Sequence, residues 1–453
     1  MKVNTRHKDY NKFFPRWQRV RDAIAGQDEI KEKGPTYLPM LNGQTPESYR
    51  AYKDRAVYTN FTKRTLQIAL GQIFRKQPVV EGMEELMLDD VDLNDTSFSY
   101  FSRSVVDEIL QTGRVGVWVD YDLTGAYMRM YKTENIINWR FTDGILSMVV
   151  LEGQTPIIGD DIFQHRDETT WTVLILDEND RFVVQEYRYR ENEFVMVDEK
   201  TPLFFSEPLL EIPFYMITPK GISEELENAP LLDFADLNFA HYKNSADFEN
   251  MLHWTGAKTI ITRGWGDRPF PVGGAADLQL DGGAEFLEAS SDSGLKEELQ
   301  AKEARMAIIG SSMISGKGRY VASAQTQELT SAGEYATLAD VAGALGDSMS
   351  KIMTFYNSWT NGTYDNVTVS YNKDFDLSEL KTQDLIAFMG AVQSGMMSWD
   401  TYFYNLKSRE VYPQGWTMDD EKQAIELYRE TAASASIEEF EMPQNEELLQ
   451  DDE

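Results

Sequence analysis

Gly310 to Gly318, read as Gly-Ser-Ser-Met-Ile-Ser-Gly-Lys-Gly, comes nearest in residue type to a phosphate-binding loop. Such a loop needs four residues between its first glycine and the Gly-Lys pair, then a Ser or Thr whose hydroxyl reaches magnesium. Here five intervene, and Gly318 stands where the hydroxyl is required. The stretch also follows a helical pattern rather than a strand, so the nucleotide reading fails. The four histidines, His7, His165, His241 and His253, are scattered. His241 and His253 lie over about 15 Å apart along one helix at its normal rise, too far to share a metal ion. They are expected to be packing or surface residues. No G-x-S-x-G or H-E-x-x-H occurs, and the tryptophans do not cluster as a sugar platform would. With 75 acidic residues, carboxylates stand at every spacing and nominate no hydrolytic pair. No catalytic residue, metal site or cofactor is expected.

Composition narrows the classes further. The chain has 453 residues, 42% of them apolar and 26% charged, enough for several buried cores. Forty-three Lys and Arg against 75 Asp and Glu leave a formal charge of −32. Such a surface repels nucleic acid and anionic membrane unless a local basic patch overrides it. Cysteine is absent, which removes disulfides, thiolate metal sites and cysteine nucleophiles and fits synthesis in a reducing compartment. The start, Met-Lys-Val-Asn-Thr-Arg-His-Lys, is basic but has no apolar stretch behind it, so no signal peptide is expected. Apolar runs such as Met148 to Leu151 are far short of the ~20 residues a membrane span requires.

The elements follow from periodicity. Residues 10–76 read mainly as helix, with Tyr52, Ala56, Phe61, Leu66, Ala69, Leu70 and Ile73 on one face of a helix running from Tyr49 to Phe74. Glu81 to Asp95 reads as a loop with a short helix, and Phe98 to Leu110 as a helix closed by Gly113. From Val115 to Thr218 six strand signals, Val-Gly-Val-Trp-Val-Asp-Tyr first and Phe-Val-Met-Val last, predict a largely antiparallel β domain without βαβ alternation. A helix from about Leu231 to Trp254 is marked by Leu231, Phe234, Leu237, His241, Phe248 and Met251 or Leu252. A Gly/Pro-rich module with the strand Lys-Thr-Ile-Ile-Thr-Arg follows, then a helix from Leu295 to about Ile309. A polar loop leads into a long helix from about Thr326 to Trp359. Gly333, Gly343 and Gly346 inside it point to a kink or close backbone packing. The strand Asn-Val-Thr-Val-Ser-Tyr-Asn, helices from Leu377 to Ala433 and an acidic tail complete the chain. The tail is expected to be disordered.

Several local patterns combine into a family likeness. Trp17-Gln-Arg-Val-Arg-Asp-Ala precedes Gly26 and Tyr37-Leu-Pro39; Tyr49, Ala56, Asn60, Arg64-Thr65, Gly71, Phe74 and Pro78 follow. Gly113-Arg-Val-Gly-Val-Trp-Val-Asp-Tyr121, Tyr131 to Trp139, Pro230 to Phe248 and Asn372-Lys-Asp-Phe375 continue the series. In order and spacing, from about residue 10 to about 425, this resembles the portal proteins of tailed bacteriophages, in a portal-like family long catalogued as a domain of unknown function.

The resemblance implies a mixed α+β portal fold. A wing of helices and antiparallel β domain would cover residues 1–220, the first stem helix 221–256 and a small clip 257–291. The second stem helix would cover 292–312, a tunnel loop 313–324, the long kinked helix and return to the wing 325–376, a helical crown 377–435 and the acidic tail 436–453. It implies a homo-oligomeric ring, usually of twelve, at one capsid vertex of the virion, made in the host cytoplasm. Double-stranded DNA would pass through it without sequence preference. The terminase motor, the head–tail connector and the major capsid protein would be its partners, with no membrane involved and ATP hydrolysis left to the terminase. Ser315, Lys317, Arg319 and Tyr320 would face the DNA channel. Lys258, Arg263 and Arg268 would lie in the docking clip. Lys302 and Arg305, three apart on one helix face, would pair with Glu297, Glu298 or Glu303 in their own subunit or, as a ring contact, in the next, the alternative being a solvated helix surface. The clip strand is expected to pair with neighbouring subunits, the alternative being a hairpin within one chain. The charge fits an acidic wall along which DNA slides, or simple solubility. Two other classes share the composition: an acidic carbohydrate-active hydrolase with a β domain, and an acidic adaptor that forms no ring.

Overall fold

Four helices open the chain, three of them started by a side-chain cap that the sequence itself supplies. The computed structural model describes residues 2–122, 125–157, 166–204, 207–256, 259–263, 283–287, 293–315, 338–361, 365–373, 375, 382–408, 412 and 416–438. Helix α1 (Lys8–Ala25) is capped by His7, whose ring accepts the Asp9 N–H at 3.3 Å. It buries Tyr10, Phe13, Trp17, Val20 and Ala23, at the three- and four-residue steps of one helix face. Helix α2 (Gln27–Lys33) is short. The single helix expected from Tyr49 to Phe74 is two, α3 (Pro46–Arg55) and α4 (Phe61–Ile73). Pro46 begins the first behind the Thr45 cap. Asn60 begins the second by accepting the Lys63 N–H at 2.9 Å. The buried face continues across the break, so the apolar period alone conceals it. Strand β1 (Val79–Glu81) precedes a single 3-10 turn, and α5 (Phe98–Thr112) ends at Gly113, whose φ of 77° is the left-handed conformation expected there.

The β region is antiparallel throughout but forms two sheets. Strands β2 (Val115–Asp122) and β3 (Gly125–Lys132) pair with each other. The chain then runs through β4 (Ile136–Thr142), β5 (Ile145–Ile157), β6 (Arg166–Leu176), β7 (Phe182–Arg190) and β8 (Glu193–Lys200), a five-stranded meander. Its β4 is missing from the strands read in the sequence, because Ile-Ile-Asn-Trp-Arg-Phe-Thr does not alternate cleanly. The small strands β9 (Leu203–Phe204) and β10 (Glu207–Pro208) pair together. Strands β11 (Phe214–Thr218) and β12 (Gly221–Ile222) then return to the first sheet, giving the order β12-β11-β2-β3. Arg114 lies buried where the N-terminal helices meet these strands. Its Nε donates to Thr133 Oγ1 at 3.0 Å, and its guanidinium sits 4.2 Å from the Trp139 ring centre. Burial pushes its pKa down to about 9, so it stays charged at neutral pH.

Helices α6 (Leu232–Gly256) and α7 (Ser293–Ser315) flank the strands β13 (Thr259–Arg263) and β14 (Gly283–Leu287). The long helix is described over Leu338–Asn361 (α8); its expected first part, residues 326–337, lies outside the described residues. Strand β15 (Thr368–Ser370) pairs with β1, closing a loop of nearly 300 residues. Gly346 explains the close packing anticipated for α8: a side chain there would place its first carbon 2.9 Å from Val369 O. Backbone on backbone leaves no room for it.

Residues Asp376–Glu453 form a separate unit. Its helices are α9 (Thr382–Gln393), α10 (Trp399–Ser408) and α11 (Met418–Glu438). Thr417 caps α11, its hydroxyl accepting the Asp420 N–H at 3.2 Å while the Asp420 carboxylate accepts from Thr417. That bonding holds the Asp420 carboxyl below its ordinary range. The expected disordered tail was set to begin at residue 436; α11 is helical through Glu438, and the rest lies outside the described residues.

Candidate functional site

Helix α6 is anchored to the N-terminal helices along most of its length. From Leu231 to Ala246 it buries Phe234, Ala235, Asn238, Phe239, Tyr242 and Ala246. Leu237 and Phe248 are only half-buried and Leu252 is exposed, so the true stripe is rotated from the one read in the sequence. Asn238, with no exposed surface, is its polar centre. Its Oδ1 accepts from the Tyr58 hydroxyl at 2.9 Å, the Thr62 N–H at 3.1 Å and the Thr62 hydroxyl at 2.9 Å. Its Nδ2 donates to Thr59 O at 3.0 Å. One amide therefore satisfies the chain break between α3 and α4 as well as the start of α4. Further along, the Tyr52 hydroxyl donates to Asp247 Oδ1 at 2.6 Å, and Arg55 donates to Asn250 Oδ1 at 2.8 Å. Beyond Asn250 the helix continues with Leu252, His253 and Trp254 exposed.

Helix α7 runs back antiparallel to α6. His241 lies 3.2 Å from Glu303, and Gly310 comes within ordinary contact of Phe234 and of Thr65 on α4. The two strands between the helices form a hairpin within the chain, Thr259 opposite Leu287 and Arg263 opposite Gly283. One edge of β13 is thus taken by β14, the hairpin named as the alternative. His241 is 4% exposed, its ring edge-on to Phe61, and its Nδ1 has no partner among the described residues.

The cations named from the sequence are placed unevenly. Lys302, largely buried, pairs with Glu298 at 3.1 Å, one turn earlier on α7. This bond and the nearby Arg305 hold the Glu298 carboxyl below its ordinary range. Lys302 and Arg305 therefore act on one acid of their own helix, and Arg305 is otherwise exposed. Arg263 ends β13. Ser315, expected in a loop, is instead the last residue of α7, which continues through Gly310 and Ser311-Ser312 despite their weak helix propensity. Lys258, Arg268, Lys317, Arg319 and Tyr320 lie outside the described residues. Sequence reasoning missed Asn238 and the Tyr52–Asp247 and His241–Glu303 contacts. Asn238 carried a usable signal, a lone amide four residues after Phe234 on an otherwise apolar face.

Among the described residues no three His, Asp or Glu side chains are grouped to hold a metal ion, and no helix is long and apolar enough to cross a membrane. A sequence family described as domain of unknown function (DUF4055) matches residues 230–360, the span from α6 through α8. No curated protein matches the chain. Two solved structures are similar in backbone course. One is described as the neck of an empty GTA particle computed with C6 symmetry, at 12% identity and a TM-score of 0.40, covering 80% of this chain and 93% of that one. The other is described as the neck of a native GTA particle computed with C12 symmetry, at 11% identity and a TM-score of 0.40, covering 80% and 94%.

Proposed function

We propose that the chain is a portal-type protein, a homo-oligomeric ring through which double-stranded DNA enters and leaves a capsid. The observation that carries this reading is the antiparallel pair α6 and α7 with a hairpin at its far end. The near half of the pair is bolted to the body through Asn238, Asp247 and Asn250. The far half leaves Leu252 and Trp254, 45% and 54% exposed, on a surface that one chain does not cover. Exposed apolar side chains at such a projection call for a partner surface, and copies arranged around an axis supply it. The separate C-terminal unit has the same character, with Met396, Trp399 and Tyr404 all more than 60% exposed.

In this reading the hairpin, with Lys258, Arg263 and Arg268, meets the terminase motor and later the head–tail connector. Lys302 and Arg305 trim the acidity of α7 at the junction between subunits. The loop after Ser315 carries Lys317, Arg319 and Tyr320 toward the DNA. The protein catalyses nothing itself. Negative-stain microscopy of the purified chain at micromolar concentration should show closed rings; a monodisperse monomer would overturn the assignment. Replacing both Lys317 and Arg319 with Ala should leave ring yield unchanged while DNA retention in filled capsids falls, most at low salt, the deficit shrinking as salt rises because the phosphate contacts of the wild type are then screened. Retention equal to the wild type across a salt series would remove the loop from the mechanism.

A further inference from the structure

Charge is distributed unevenly along this acidic chain. The first 21 residues hold seven Lys and Arg against one acid, Asp9. Two of the seven are consumed internally: Arg21 by Glu134 at 3.0 Å together with Glu108, and Arg19 by Asp236 at 3.1 Å. The other five are treated differently. Lys8, Lys12 and Arg16 follow one another at four-residue steps on one face of α1, ~6 Å apart along its axis. None of Lys2, Arg6, Lys8, Lys12 and Arg16 forms an ion pair among the described residues, although acids outnumber bases nearly two to one in the chain.

Instead, aromatic faces position three of them. Arg6 lies 5.0 Å from the Tyr10 ring centre, Lys12 5.6 Å and Arg16 4.8 Å from that of Phe13. Arg16 also donates to the neutral Asn228 Oδ1 at 2.6 Å. A ring face orders a cation without neutralising it, so the positive field remains available to an outside anion. Lys8 and Lys12 border an open groove of about 710 Å³, and Arg140 from β4 joins them there. Asp9, 3.5 Å from the His7 ring, and Glu224 and Glu225 line the same groove, so an anion is directed to the row of Lys8, Lys12 and Arg16 rather than into the groove.

The kind of anion follows from what α1 does not offer. Tyr10, Phe13, Trp17 and Val20 are turned into the core, and Phe14 and Ile24 pack half-buried against it, so no large apolar side chain of the helix is fully exposed. A protein partner, including a second copy of this acidic chain, binds through buried aromatic or aliphatic anchors that this face lacks. A row of ordered, uncompensated cations without such anchors suits a polyanion whose affinity comes from counterion release. We propose that Lys8, Lys12, Arg16 and Arg140 form a phosphate-backbone contact for nucleic acid, independent of base sequence and of the channel loop.

The test uses the full-length chain and fluorescently labelled mixed-sequence duplex DNA, titrated over a salt series. A variant carrying Lys8→Gln, Lys12→Gln and Arg140→Gln changes only surface groups, and unchanged thermal unfolding and particle size would certify it. The expected result is at least a tenfold loss of DNA affinity at low salt and a log–log salt slope shallower by about one for each substitution. The Lys317→Ala, Arg319→Ala variant should keep this contribution, which separates the site from the channel reading. Identical curves for wild type and the triple variant would overturn the proposal. So would a polyglutamate probe that competes as strongly as DNA, since that marks an acidic protein as the partner.

Discussion

Raising the pH above about 10 should unfold residues 1–375 steeply, because five buried tyrosines hold their protons there. Burial is the largest cause in each case: it raises the Tyr242 pKa to about 12, and raises those of Tyr37, Tyr52, Tyr58 and Tyr371 well above their ordinary value of 10. Asp22 and Asp247, which accept the hydroxyls of Tyr37 and Tyr52, add to the effect. In the unfolded chain these phenols ionise near pH 10, so above it the unfolded state binds fewer protons than the folded one. The stabilisation is complete below pH 10 and is lost as pH climbs toward the folded values. Arg114 acts in the opposite sense: burial lowers its folded pKa to about 9, below its unfolded value, so between the two it adds stability with rising pH. Five tyrosines against one arginine leave roughly four protons, ~5 kcal/mol per pH unit at ~1.4 kcal/mol per proton. That exhausts a stability of ~5–15 kcal/mol within a few units. Solvent-exposed phenols ionise gradually at about pH 10, and above it the remaining tyrosinate absorbance should rise in one cooperative step together with the loss of circular dichroism. Smooth ionisation of every tyrosine at about pH 10 with the helical signal intact would refute the account.

Replacing Asn238 with Leu should release α6 from the N-terminal helices. Leucine matches the volume but leaves the Thr62 N–H, the Thr62 hydroxyl and Thr59 O without the partner they share, while the Tyr58 hydroxyl keeps Ala23 O. An orphaned buried polar group costs ~1–3 kcal/mol, so even with partial relaxation the loss should reach about 4 kcal/mol. Urea unfolding with Asn238→Leu and, as a control, the exposed Lys243→Ala should show a large drop in midpoint for the first and none for the second. In the portal reading the same variant should yield fewer rings, since the helix pair loses its fixed exit from the body. An unchanged midpoint would mean that water takes over the amide's bonds and that Asn238 is no anchor.

Features governed by neighbours in sequence were legible before any coordinate. Gly113 at the end of α5, with its φ of 77°, and the order of a helix, a strand-bearing Gly/Pro-rich module and a second helix follow from local rules. The break between α3 and α4 was also written locally, in Asn60, but the apolar stripe spoke louder because both helices bury the same side. The extent of α7 was underread for the converse reason, since Gly310 and the serines after it suggested an end that packing against Thr65 and Phe234 removes.

Composition, the sign of charge, the lack of thiolate chemistry and the order of elements are set by the residues alone, because each depends on residue identity or on contacts within a few turns. Tertiary structure alone decided the rest. It split the strands into two sheets, joined β1 to β15, chose Glu298 for Lys302 and Glu303 for His241, and set Asn238 under Tyr58. These pairings link positions up to about 290 residues apart, or select one acid among 75. Periodicity says which side of an element is buried; only the packed chain says what it is buried against.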